Sequence, residues 1–126
     1  MLAVILQSGE PERLYTGLSL LVSAASDGRP ARGLATFAAL GPLLADDLAA
    51  AGPAPHVIAD EREPFARTLA ELRETASALP DCRIWACAAA VAATGADPAA
   101  VEARLDGILS TPRFLREVAG AQLVAV

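Results

Sequence analysis

Apolar residues in this chain come in two alternating forms: short unbroken runs, and longer stretches where they recur every three or four positions. The first form suits a strand buried on both faces, the second an amphipathic helix. Leu2 to Leu6 is such a run and predicts the first strand, after which Leu14, Leu18, Leu21, Val22 and Ala25 recur at helical spacing. Asp27-Gly28-Arg29-Pro30 turns the chain, because glycine closes helices and proline cannot continue them. Ala31 to Phe37 predicts a second strand, and Ala38 to Ala51 a helix carrying Leu40, Leu43, Leu44 and Leu48, with Gly41-Pro42 near its start. The proline-rich stretch from Gly52 to Pro64 has loop chemistry and is either a lid or a connection. Phe65, Leu69, Leu72, Ala76 and Leu79 then form one stripe, with Arg67, Glu71 and Glu74 away from it, which is the clearest amphipathic helix in the chain.

Arg83 to Ala86 predicts a third strand and Cys87 to Thr94 a helix that Gly95 closes. Asp97-Pro98 and Thr111-Pro112 each pair an N-cap residue with proline at the first helical position, so two more helices start there. The second carries Phe114, Leu115 and Val118 and stops at Gly120, and Ala121 to Val126 reads as the closing strand. Strands alternating with helices specify an α/β fold: a mostly parallel sheet with helices on both faces. A length of 126 residues predicts a single domain over 1–126.

Composition narrows the function classes. Hydrophobic residues are 54% and charged residues 20% of the chain, which argues for a folded protein. No apolar run reaches the roughly 20 residues of a membrane span. The start lacks a basic leader, and with only two cysteines a reduced, cytoplasmic protein is expected. A net charge of −5, with the arginines scattered singly, predicts no direct nucleic-acid binding. No phosphate-binding glycine motif is present, and neither acidic cluster, Asp46-Asp47 or Asp60-Glu61-Arg62-Glu63, has metal-ligand spacing, so no cofactor or metal is predicted. Leu40, Leu43, Leu44 and Leu48, in a segment with few charges, are more apolar surface than one small sandwich is expected to hide, which predicts a homo-oligomer.

Open parallel sheets bind ligands beyond the carboxyl ends of their strands. That rule singles out Ser8 and Gly9 after the first strand, Phe37 after the second and Cys87 after the third. Cys87 stands where a strand feeds a helix, where the helix dipole favours the nucleophilic thiolate; it also reads as a small buried apolar residue. Ser8 and Gly9 offer a hydroxyl and open backbone N–H groups to a small anion, and they equally read as an ordinary turn. His56, the one histidine, reads as a solvated loop residue. Cys82 lies five residues before Cys87, roughly 16 Å away along a strand and out of disulfide reach.

The run Arg83-Ile84-Trp85-Ala86-Cys87-Ala88-Ala89-Ala90, closed by Gly95 and preceded by strand, long helix, strand, loop and helix, resembles the DsrE/DsrF family, which includes the TusD-type sulfur-relay subunits. The resemblance implies a three-layer α/β/α sandwich around a parallel sheet of about five strands, commonly assembled as a trimer or hexamer. It implies that Cys87 holds a persulfide and passes sulfane sulfur from a donor protein to an acceptor protein. Many members carry an arginine before the glycine that ends the cysteine-bearing helix; this chain has Thr94 there. The alternative is a non-catalytic oligomeric scaffold or small-ligand-binding module in which Cys87 is structural.

Overall fold

The computed structural model describes residues 1–48 and 53–126. Its strands are β1 (Leu2–Leu6), β2 (Ala31–Ala35), β3 (Cys82–Cys87), β4 (Ile108–Leu109) and β5 (Gln122–Ala125), all parallel, in the order β4-β3-β2-β1-β5. The helices are α1 (Pro11–Ser26), α2 (Leu40–Leu44), α3 (Arg62–Ala78), α4 (Ala88–Thr94), α5 (Pro98–Arg104) and α6 (Thr111–Glu117). Two 3-10 turns, Phe37–Ala39 and Ala59–Glu61, lead into α2 and α3. Together these elements form a three-layer α/β/α sandwich.

One face of the sheet is covered by α1 and α3, which pack on each other as well as on the strands. Both are long enough to present a continuous apolar stripe: Leu14, Leu18 and Leu21 of α1 and Leu69 of α3 are buried completely. Within the α3 stripe, Leu72 is only half-buried, so Leu69 rather than Leu72 anchors the helix. On β3 side chains alternate between faces, and Ile84 points toward α1 and α3 while Trp85 points away. On that second face Trp85 meets Phe114 of α6 edge-on, with ring centroids 6.2 Å apart, and Phe114 is wholly buried.

Several elements differ from the sequence reading. The second strand stops at Ala35, because Phe37 turns out of the extended region with φ +40°. The helix expected over Ala38 to Ala51 is a 3-10 turn and the five-residue α2, and Ala45 is already extended; the end of that expected helix, with Gly52 of the expected loop, lies outside the described residues. Gly41-Pro42 sits inside α2, and its carbonyl end is satisfied by a side chain from elsewhere: Arg73 donates to Pro42 O (3.1 Å) and Ala45 O (2.5 Å). The N-cap of α6 is Ser110, whose Oγ accepts from Arg113 N, and not Thr111. Strand β4 has no signal in the sequence: two residues carry no periodicity, and it pairs only with Ala86 and Cys87 at the end of β3.

Leu40, Leu43 and Leu48 are all buried within the single chain and Leu44 is half-buried. The surplus of apolar surface expected there is absent: α2 packs against α5, and Leu48 stands beside Phe65 and Leu69 of α3. Exposed apolar residues occur elsewhere, at Leu115 on α6 and Leu123 on β5.

Candidate functional site at the carboxyl edge of the sheet

Because β1, β2 and β3 are neighbours, the segments that follow them meet along one edge. The four residues singled out in the sequence therefore share a neighbourhood, but their side chains do different things. Ser8 Oγ accepts from Glu10 N at 3.0 Å, capping the turn into α1, so its hydroxyl serves the backbone. Gly9 is required by a close approach: a Cβ there would stand 2.5 Å from Ala38 O, in the turn after β2. The two loops are thus pressed together, and Thr36 reinforces the seam by donating from its N (2.9 Å) and Oγ1 (3.3 Å) to Leu6 O.

Phe37 is 54% exposed and is the one non-glycine residue with positive φ among those described. A large side chain held in that region stores strain, and strain of this kind collects at functional positions. Phe37 lines an open groove of about 340 Å³ whose walls are Leu40, Gly41 and Leu44 on one side and Thr94, Ala96 and Asp97 on the other. In the sequence Thr94 stands out only as the departure from the family's arginine, and Ala96 and Asp97 not as part of a site. The signal for this side was there in Gly95, whose φ of +69° ends α4 and returns the chain toward α2.

Cys87 closes β3 and is the N-cap residue of α4, with extended geometry. No side-chain cap hydrogen bond is made from it, and its sulfur is buried, with 4% of the residue exposed. It lines none of the cavities of the described residues that hold Phe37 or the proline-rich loop. The groove and the cysteine are joined through α4, which packs against the Phe37–Ala39 turn.

Cys82, at the other end of β3, is also free and buried. Burial and the nearby Asp106 carboxylate push its pKa up to about 11, with Arg32 opposing, so it is a neutral thiol at physiological pH. His56 stands elsewhere, on the first turn of α1. Its backbone N donates to Glu12 Oε1 (2.6 Å), and its exposed ring reaches Glu12 Oε2 only at 4.0 Å. Next to it, Pro53, Ala54 and Pro55 wall a cavity of about 210 Å³ floored by Leu48 and Leu69, with Arg62 and Phe65 among its lining. Among the described residues no cluster of His, Cys, Asp or Glu has the arrangement of a metal site, and no helix is long and apolar enough to cross a membrane.

Superposition of the whole chain on solved structures identifies its architecture, with a TM-score of 0.60 at 15% identity over 100% of this chain and 99% of the other. The fold is that of the ychN protein from E. coli. The match runs the length of both chains, so the likeness is to the complete sandwich and not to one strand-helix-strand unit. No protein-family model matches the sequence, and no curated protein matches it.

Proposed function

We propose that this protein is a DsrE-like sulfur carrier in which Cys87 accepts sulfane sulfur and hands it to a partner protein. The observation that carries the reading is the position of Cys87: the last residue of an inner strand and the N-cap of a helix, on the edge where parallel sheets bind their ligands. The chain's likeness in fold to the ychN protein, together with the resemblance of the 83–90 run to the DsrE/DsrF family, supports it.

In the reaction the Cys87 thiolate attacks the terminal sulfur of a donor persulfide. A new S–S bond forms on Cys87, the donor's S–S bond breaks, and the donor leaves as a thiolate. An acceptor thiolate then removes the terminal sulfur by the same exchange, restoring Cys87. Burial at 4% exposure shields such a persulfide from water and reductants, and loading then needs the α4 amino end to be uncovered. The element packed on α4 at this edge is the Phe37–Ala39 turn, and its displacement is the opening this reading requires. The protein works in the cytoplasm with sulfur donor and acceptor proteins, as a homo-oligomer, a trimer or hexamer, that covers Leu115 and Leu123.

The same burial favours a second reading, in which Cys87 is a core residue of a non-catalytic scaffold or small-ligand-binding module. Mass spectrometry after incubation with a persulfide donor separates the two. The carrier gains sulfur on Cys87, and Cys87→Ser gains none while keeping its urea midpoint, since serine is a favoured N-cap. Native protein that takes up no sulfur, with a Cys87 alkylated only after denaturation, leaves the scaffold.

A further inference from the structure

Away from this edge, α3 and α5 bring two guanidinium groups to one small cleft. Arg73, Glu74 and Ser77 of α3 and Ala103 and Arg104 of α5 line a cavity of about 90 Å³. An adjoining recess shares Arg73, Ser77 and Arg104 and ends at Asp106, whose carboxylate is occupied by Ile84 N at 2.7 Å.

The cations are held in place and their counter-charges are not. The Arg73 side chain is 11% exposed and pinned by its donations to Pro42 O and Ala45 O, and Arg104 is 28% exposed. The carboxylates beside them are solvated: Glu74, 3.8 Å from Arg73 Nε, is 69% exposed, and Asp46, 2.9 Å from Arg104, is fully exposed. Arg73 Nε–H is buried with no hydrogen-bond partner. A buried donor of a charged group without an acceptor is costly. Burial first, and then the nearby Arg104, lower the Arg73 pKa, while the carboxylates of Glu74, Asp46 and Asp47 act in the opposite direction; the two guanidinium groups repel each other, and these carboxylates are what a bound anion must compete with.

We propose that this cleft binds a single tetrahedral oxyanion, phosphate or sulfate, between the guanidinium groups of Arg73 and Arg104. The anion supplies the acceptor that Arg73 Nε–H lacks and cancels the repulsion between the two cations, while Glu74 and Asp46 swing out into water. Charge-assisted hydrogen bonds from arginine to such oxyanions are short and directional. A larger phosphate ester would enter by its terminal phosphate, the group the two guanidinium groups recognise.

The test follows the Arg73 Nε–H resonance by ¹⁵N–¹H correlation NMR while chloride is exchanged for inorganic phosphate at constant ionic strength. A saturable shift is expected, weakened about tenfold or more by Arg104→Gln, the loss of one charge-assisted contact. Glu74→Gln tightens it by removing the competing carboxylate. Phenyl phosphate, run in parallel, distinguishes a free-ion site from one that takes the terminal group of an ester: saturation by both, or by phosphate alone, fits the proposal and identifies the source. A drift no different from that in chloride, or binding unchanged in a folded Arg104→Gln variant, overturns it.

Discussion

The two faces of the sheet are built to different standards. One is closed by α1 and α3, of 16 and 17 residues, whose stripes bury Leu14, Leu18, Leu21 and Leu69. The other has α6, of seven residues, resting on the Trp85–Phe114 contact and leaving Leu115 52% and Leu123 53% exposed. A face closed by long helices is complete within one chain. A face closed by one short helix concentrates its stability in a single aromatic pair and keeps apolar surface open, the condition under which subunits associate.

The largest effects should come from the anchors of the two faces. Phe114→Ala is expected to cost about 3–5 kcal/mol and Leu69→Ala about 2–5 kcal/mol, large shares of the stability of a domain this size. Urea unfolding of both variants tests the contrast. If Phe114→Ala costs far less than Leu69→Ala, the short-helix face is not held by its aromatic pair.

Gly9→Ala comes next. Its Cβ would meet the backbone of Ala38, which cannot rotate away, and the expected cost is about 1–3 kcal/mol of overpacking. Thermal unfolding reads the loss, and hydrogen exchange should localise the loosening to the Ser8–Gly9 and Phe37–Ala39 loops. An alanine tolerated without penalty would mean that the two loops separate readily.

Cys82 gives an effect of about 2 kcal/mol, confined to alkaline pH. Its folded pKa, raised to about 11 from an ordinary 9.0, means that the folded protein keeps a proton the unfolded chain has already released. The corresponding stability is therefore complete below pH 9 and is lost as pH rises toward 11. Urea midpoints measured across that window should fall in the native protein and fall less in Cys82→Ala. Equal slopes would show that burial at the α3 face does not hold the thiol neutral.

The smallest effect on the chain itself belongs to Leu123→Glu, an exposed position where stability should change by no more than about 0.5 kcal/mol. Its readout is assembly. Light scattering is expected to give an oligomer for the native protein and a smaller species for the variant. A native protein that scatters as one 12.9 kDa chain would remove the idea that the open face is covered by another copy.

The sequence by itself determined the alternation of strands and helices, and with it the parallel sheet and the strand ends that carry Ser8, Gly9, Phe37 and Cys87; that those ends lie side by side was decided by the strand order β3-β2-β1. The alternation and the strand ends rest on local rules: apolar runs, helical periodicity, and glycine and proline as punctuation. Cys87 as the strand-to-helix residue and Asp97 as an N-cap, accepting from Ala99 N at 3.0 Å, were legible in the same way. Tertiary structure alone decided the rest. β4 exists because the end of β3 offers it partners, α2 is cut short where Arg73 from another helix takes its carbonyls, and Leu40 and Leu43 are buried on an α2 that packs against α5, while Leu48 is buried beside Phe65 and Leu69 of α3. Burial of the Cys87 sulfur and the meeting of Arg73 with Arg104 are of this kind too. They depend on which elements pack together, a property of contacts distant in sequence that no local pattern encodes.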